Sequence, residues 1–194
     1  MKEHIIDCSI ELFGRYGIKG LTMDAIASEL RISKRTLYEH FFCKKQLLEE
    51  CLHARLGQHQ LLALTGKSLI DELVALYAGM RRLDLDRAHR FCRELRKFYA
   101  PVYETLLREL LDYASACGKH VETGVREGYI RRDVQPAMVC TAVSGCLTQL
   151  LADADYEYTD VRRMLSPDII VVFTRGLCTI KGRNYLEQKI KEIA

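Results

Sequence analysis

Residues 21–48 read LTMDAIASELRISKRTLYEHFFCKKQLL. Thr22 can cap a helix whose inner face is Met23, Ile26, Ala27 and Leu30. After the break Arg31-Ile32, Ser33 can cap a second helix with Leu37 and Phe41 inward and Lys34, Arg35, Thr36, Glu39 and His40 outward. Two short helices joined so tightly must cross steeply, as in a helix-turn-helix, and small Ala27 sits where they approach most closely. Upstream, Ile5, Ile6, Ile10, Leu12, Phe13 and Tyr16 fit the stripe of a four-turn helix that Gly17 ends by accepting a left-handed backbone.

Positive charge is concentrated in this stretch. Residues 31–45 set Arg31, Lys34, Arg35, Lys44 and Lys45 against Glu39, a net +4, in a chain of net +3. Residues 1–30 are net −2. A helix presenting Lys34, Arg35, Thr36 and His40 fits the major groove, where Lys and Arg donate to guanine edges and Thr touches a thymine methyl. Tyr38, Lys44 and Thr22, the last at a helix N-terminus, suit phosphate contacts that fix register. Charge alone gives equal weight to a solvated helix pair, since exposed Lys and Arg are the rule.

The 194 residues, 48% hydrophobic and 28% charged with 3 prolines, have the composition of a globular protein with one sizeable core or two smaller ones. The N-terminus MKEHIIDCSIELF carries Glu3, Asp7 and Glu11, unlike a secretory signal, and apolar runs such as 169–173 are far short of a membrane span. A cytoplasmic protein without a membrane partner is expected. The 8 cysteines contain no Cys-x-x-Cys and are expected to be reduced and mostly buried. There is no Gly-x-Ser-x-Gly, Walker sequence or His-Glu-x-x-His, so neither catalytic residues nor a cofactor is expected. A helical enzyme could still hide carboxylates such as Glu104 and Glu109 beside His120.

Helical signals continue to the C-terminus. A long helix begins past Lys44, and 57–68 reads as its end and a linker, with Gly57 and Gly66 as breakers. Ser68, with Asp71 and Glu72, starts a helix carrying Leu69, Leu73, Leu76, Tyr77 and Met80. Another covers residues 87–99, and Pro101 suits the first position of a long helix ending at Gly128. Pro136 opens a helix with Met138, Val139, Ala142, Val143, Leu147, Leu150 and Leu151. Ser166-Pro167-Asp168 opens the last major one. The run IIVVF has strand-like content, but the capping signals and the in-phase Leu177 and Ile180 favour helix. Residues 184–193 read as a short amphipathic tail helix.

Residues 5–48 resemble the DNA-binding domain of the TetR family of one-component transcriptional regulators. The matching marks are Leu12-Phe13, Tyr16-Gly17, Thr22, Ile26-Ala27, Ser33-Lys34, Thr36-Leu37-Tyr38, His40-Phe41 and Lys44. The resemblance implies an all-α chain divided into a three-helix helix-turn-helix domain, 1–50, and an all-helical effector-binding and dimerisation domain, 51–194. It implies base or backbone contacts from Lys34, Arg35, Thr36, Tyr38, Glu39 and His40, phosphate contacts from Thr22 and Lys44, and packing roles for Ala27, Leu37 and Phe41. It further implies a homodimer on a near-palindromic double-stranded operator, acting as a repressor released by a small molecule.

The chain departs from the family pattern twice. Arg31 stands where a turn glycine is usual, at a cost on the order of 1 kcal/mol if left-handed, and Cys43 stands where a better N-cap is expected.

The resemblance pairs the last two major helices, 136–151 and 167–181, with their symmetry mates. Val139, Val143, Leu147, Leu150, Ile170, Phe173 and Leu177 are the interface candidates, and their broad apolar faces agree. Tyr77, Met80, Phe91, Phe98, Tyr99, Tyr103, Tyr113 and Val121, with Tyr129, could line an aromatic effector pocket, although such stripes are more often core. His89-x-x-Cys92 and Cys117-x-x-His120 could together form a Cys2His2 zinc site, but pairs at this spacing arise easily by chance and no metal is expected. A redox-responsive regulator sensing through Cys140, Cys146 or another exposed thiol, or a helical ligand- or metal-binding module without a DNA role, are the alternatives.

Overall fold

The computed structural model describes residues 1–57, 64, 67–149 and 166–193. They form an all-α chain, and the only pairing outside helices among them is an isolated antiparallel bridge between Ile130 and Cys178. In order the helices are α1 (Lys2–Tyr16), α2 (Met23–Glu29), α3 (Lys34–His40), α4 (Lys44–Gly57), α5 (Leu69–Arg81), α6 (Leu85–Phe98), α7 (Ala100–Lys119), α8 (Val121–Arg126), α9 (Pro136–Gln149), α10 (Asp168–Leu177) and α11 (Ile180–Ile193). None among the described residues is long and apolar enough to cross a membrane.

The helices gather into two compact units. One holds residues 1–57 and 84–108; the other holds 67–83, 109–149 and 166–193. Packing therefore draws a different line from the functional boundary placed near residue 50, because α6 and the first part of α7 group with α1–α4. The linker expected over 57–68 lies mostly outside the described residues, as do Leu150 and Leu151.

In the first unit α1 packs on α4 and α6, and α2 on α3. Ile5, Phe13, Ile18, Ile26, Leu37, Phe41, Leu47 and Leu48 are at most 2% exposed, and their burial is the main stabilisation of so small a core. Two residues of the predicted α1 stripe fall outside it: Ile10 is half-buried and Tyr16 is 50% exposed, while Ser9 takes a buried place instead. Lys2 ties α1 to α4 through Glu50 at 2.7 Å.

In the second unit α5 packs against α10 and α11, α10 against α11, and α8 against α9. Ser68 caps α5 by accepting the Asp71 N–H at 3.2 Å. The helix predicted to run unbroken to Gly128 is two, α7 and α8, separated at His120, whose N–H bonds the Cys117 carbonyl in a tightened last turn. Pro101 is accordingly the second residue of α7 rather than the first.

The last major helix stops at Leu177, before the predicted Ile180. Cys178 turns extended (φ −81, ψ 147) and pairs with Ile130, Arg131 N–H bonding the Leu177 carbonyl and Thr179 N–H the Tyr129 carbonyl. Chain reversal there starts α11 at Ile180, so the tail helix is longer than the predicted 184–193.

Candidate nucleic-acid interface

The helix-turn-helix is built by local hydrogen bonds. Thr22 Oγ1 accepts the Ala25 N–H at 3.1 Å and Ser33 Oγ the Thr36 N–H at 3.0 Å, so both predicted caps are in place. Between the helices, Ile32 N–H bonds the Ala27 carbonyl and Arg31 N–H the Ser28 carbonyl, each at 3.0 Å. This pair of bonds requires a left-handed residue just past the helix end. Arg31 supplies it, at φ 53.

Leu37 and Phe41 are fully buried beneath α3, which leaves Lys34, Arg35, Tyr38 and Glu39 exposed and Thr36 and His40 half-buried. Lys34 pairs with Asp24 at 2.5 Å and Arg35 with Glu39 at 2.9 Å. Exposed pairs of this kind contribute about 0–1 kcal/mol, so either cation can be redirected to a phosphate or base edge at small cost. Thr36 Oγ1 lies 2.8 Å from Ser33 Oγ.

Lys44 is placed differently from a cation reaching freely into solvent. Its ammonium donates to the carbonyls of Ile18 and Leu21, in the loop before α2. Burial lowers its pKa from the ordinary lysine value, opposed by the carboxylate of Glu94. Glu94, on α6, accepts the N–H groups of Ile18 at 2.5 Å and Lys19 at 2.9 Å. The same loop thus gives its carbonyls to Lys44 and its N–H groups to Glu94. Gly17 makes room, since a Cβ there would stand 2.9 Å from a Glu94 carboxylate oxygen, and its φ of 76 is one that few other residues accept. Arg90 adds a bond to the Gly14 carbonyl at 3.3 Å. Nothing local in the sequence marks Glu94 as a partner of residues about 75 positions earlier.

At the start of α4, where Cys43 is a poor cap, Gln46 Oε1 reaches back to accept the Phe42 N–H at 2.7 Å. This ties the residue before the cap to the first turn of α4.

The remaining candidates divide between the units. Phe91, Tyr99 and Tyr103 are half-buried and Phe98 is exposed in the first unit; Tyr77, Met80, Tyr113 and Val121 are buried in the second. Tyr77 donates its hydroxyl to Asp168 and Tyr113 to the Glu72 carbonyl, both at 3.1 Å. Tyr129 stacks at a tilt on Tyr185, 5.5 Å between centroids. The His89–Cys92 and Cys117–His120 pairs fall in different units, and no group of three or more potential metal ligands comes together among the described residues. Cys140 and Cys146 are half-buried, and burial raises the Cys146 thiol.

Of the interface candidates, Val139, Val143, Leu147, Ile170 and Leu177 are at most 5% exposed within their own chain, and Phe173 is half-buried. Leu150 lies outside the described residues. The apolar side chains that α10 leaves in solvent are Ile169 (48%) and Val172 (60%).

A capped, basic helix-turn-helix on a helical body defines a class of nucleic-acid-binding proteins. Residues 5–51 match the family model for bacterial regulatory proteins, tetR family. An HTH-type transcriptional regulator of Saccharopolyspora erythraea is 32% identical over 85 residues, 44% of this chain and 36% of that protein. The biofilm operon icaADBC HTH-type negative transcriptional regulator IcaR of Staphylococcus aureus (strain Newman) is 46% identical over 50 residues, 26% of this chain and 27% of IcaR. The chain thus spans about a third of the length of the curated relatives it matches.

Whole-chain likeness comes from structures. A gamma-butyrolactone receptor (ArpA-like protein) superposes with TM-score 0.64 at 21% identity, covering 97% of this chain and 93% of that one. A TetR-family regulator from Pectobacterium atrosepticum superposes with TM-score 0.61 at 17% identity, covering 92% and 94%. At these identities the likeness shows the fold. Residues 5–51 thus match the tetR family of bacterial regulatory proteins, and the chain shares its fold with these solved structures.

Proposed function

We propose that this chain is a homodimeric DNA-binding transcriptional repressor that holds a near-palindromic operator until a small-molecule effector releases it. The observation that carries the reading is the exposed row Lys34, Arg35 and Tyr38 on a helix anchored by fully buried Leu37 and Phe41, within the stretch that matches the family. In this reading Lys34, Arg35, Thr36, Glu39 and His40 face base edges, and Thr22, Tyr38 and Lys44 set the register on the backbone. Lys44 acts through the loop it holds before α2, or by exchanging one carbonyl for a phosphate. The division into a DNA-binding part, 1–50, and an effector and dimerisation part, 51–194, belongs to the same proposal.

Release needs an effector that binds the free conformation better than the operator-bound one. Glu94 supports a route for the change: a shift of α6 pulls on Ile18 and Lys19 and hence on the start of α2, while Lys44 carries the same pull to α4. Tyr77, Met80, Tyr113 and Val121 form the core of the proposed effector site. For the dimer, buried Val139, Val143, Leu147, Ile170 and Leu177 serve as the floor beneath an interface whose contacts come from Ile169, Val172 and Phe173.

The test is sequencing of genomic fragments retained by the purified protein at moderate salt, beside a Lys34→Ala, Tyr38→Ala double variant. A shared near-palindrome that the variant loses is the expected result. Diffuse retention, equal for both proteins and lost with salt, overturns the reading.

A further inference from the structure

We infer that Phe42 is a further DNA-contacting residue, laying an apolar ring against the deoxyribose edge and thymine methyls where the recognition helix ends. The inference rests on the DNA-binding reading above and adds to it a contact that carries no charge.

The backbone decides where the ring points. Phe41 is extended (φ −137, ψ 109) and fully buried, and successive side chains on extended backbone turn to opposite sides. Phe42 is accordingly 85% exposed, the most exposed large apolar side chain among the described residues. Scattered apolar residues on a surface need no explanation, but this one is held. Its N–H donates to Gln46 Oε1 at 2.7 Å, and the Phe41 ring beside it lies beneath the Lys2 ammonium, 5.8 Å from the centroid. A fixed backbone presenting an apolar ring to water lowers the ordering cost that binding would otherwise carry.

The setting favours nucleic acid over a protein partner. Along the chain the exposed residues run Lys34, Arg35, Tyr38, Glu39, Phe42, Cys43 and Lys45, two aromatics flanked by cations, within a stretch of net +4. That combination meets a polyanion whose sugars and methyls are its apolar part. It lies beside the cations of α3, so a duplex seated on α3 brings its backbone to the α3–α4 turn.

The test starts from a duplex selected from a random library by the full-length protein. On that duplex, Phe42→Ala is expected to lower affinity roughly ten- to hundredfold, the worth of burying such a ring. The slope of log affinity against log salt should stay unchanged, because no phosphate contact is lost. Phe42→Leu should recover most of the loss, and Phe42→Lys should steepen the slope by about one. Melting temperature serves as the control for folding, since the ring is exposed. Binding by Phe42→Ala within about twofold of the parent, or an altered slope, refutes the contact while leaving the DNA reading intact. Recovery of no shared duplex refutes the DNA reading and the contact with it. A protein partner would show itself as unchanged DNA affinity in all three variants.

Discussion

Replacing Arg31 with glycine should stabilise the protein. The turn between α2 and α3 holds Arg31 at φ 53, and two backbone bonds of 3.0 Å keep it there. A left-handed conformation costs a residue with a Cβ about 1–2 kcal/mol. Glycine escapes that cost but brings about 0.5–1 kcal/mol of extra freedom in the unfolded chain. The difference is a net gain of about 0.5–1 kcal/mol, or roughly 2–8 °C in melting temperature for a unit of this size. The Arg31 side chain is exposed, so its removal forfeits little burial. The assay is thermal and urea unfolding followed by far-ultraviolet circular dichroism, since the chain has no tryptophan. Arg31→Ala is the control, because alanine keeps the Cβ and should gain nothing. Equal or lower stability in the glycine variant, or an equal gain with alanine, would refute the reasoning.

Glu94→Ala should destabilise by about 2 kcal/mol, as two N–H groups lose a charged acceptor, while Glu94→Gln keeps an oxygen and loses less; equilibrium urea unfolding separates them. Ellman titration of the native protein should modify exposed Cys43 at once and spare Cys51, Cys92 and Cys117, whose thiols burial pushes up to about 12. Asp168 is held below the usual carboxylate range, first by the Ser166 hydroxyl and then by that of Tyr77. Its contribution is complete above the ordinary aspartate pKa of about 4 and is lost as pH falls through the lower folded value, so Asp168→Asn should flatten the acid side of the stability profile. Val172→Asp should leave the protomer folded, the site being 60% exposed, and convert the proposed dimer to monomer in sedimentation velocity; an unchanged assembly places the interface elsewhere.

What was legible in the sequence was what local spacing controls. Thr22, Ser33 and Ser68 announce their helices because the capping bond spans only three residues, and the i, i+4 pair Leu37 and Phe41 is buried because one helical face must be. Gly128, at φ 77, closes α8 with the same two-bond pattern that Arg31 makes after α2, so the departure at Arg31 could be flagged from sequence before its angle was known. What was hidden depends on distant partners. Cys178 leaves the helix to pair with Ile130, and no periodicity within 167–181 records that bond. Periodicity named Val139, Val143 and Leu147 as apolar but could not say which neighbour covers them. At the site, the exposed cations of α3 were readable, whereas the inward turn of Lys44 depends on Ile18, Leu21 and Glu94 together.

Under the proposed division into a DNA-binding part and an effector part, that three-way hold bears on how modular the chain can be. A recombination event or a designed fusion that exchanges sensory halves by cutting after α4 would carry Lys44 and the loop before α2 but leave Glu94 and Arg90 behind. The grafted head would then hold a half-buried ammonium without its counter-charge and two N–H groups without their acceptor. Working chimeras of this chain should therefore be those whose new sensory half brings an acid at the Glu94 position, so that compatibility is decided by one residue of α6 more than by the identity of the joint.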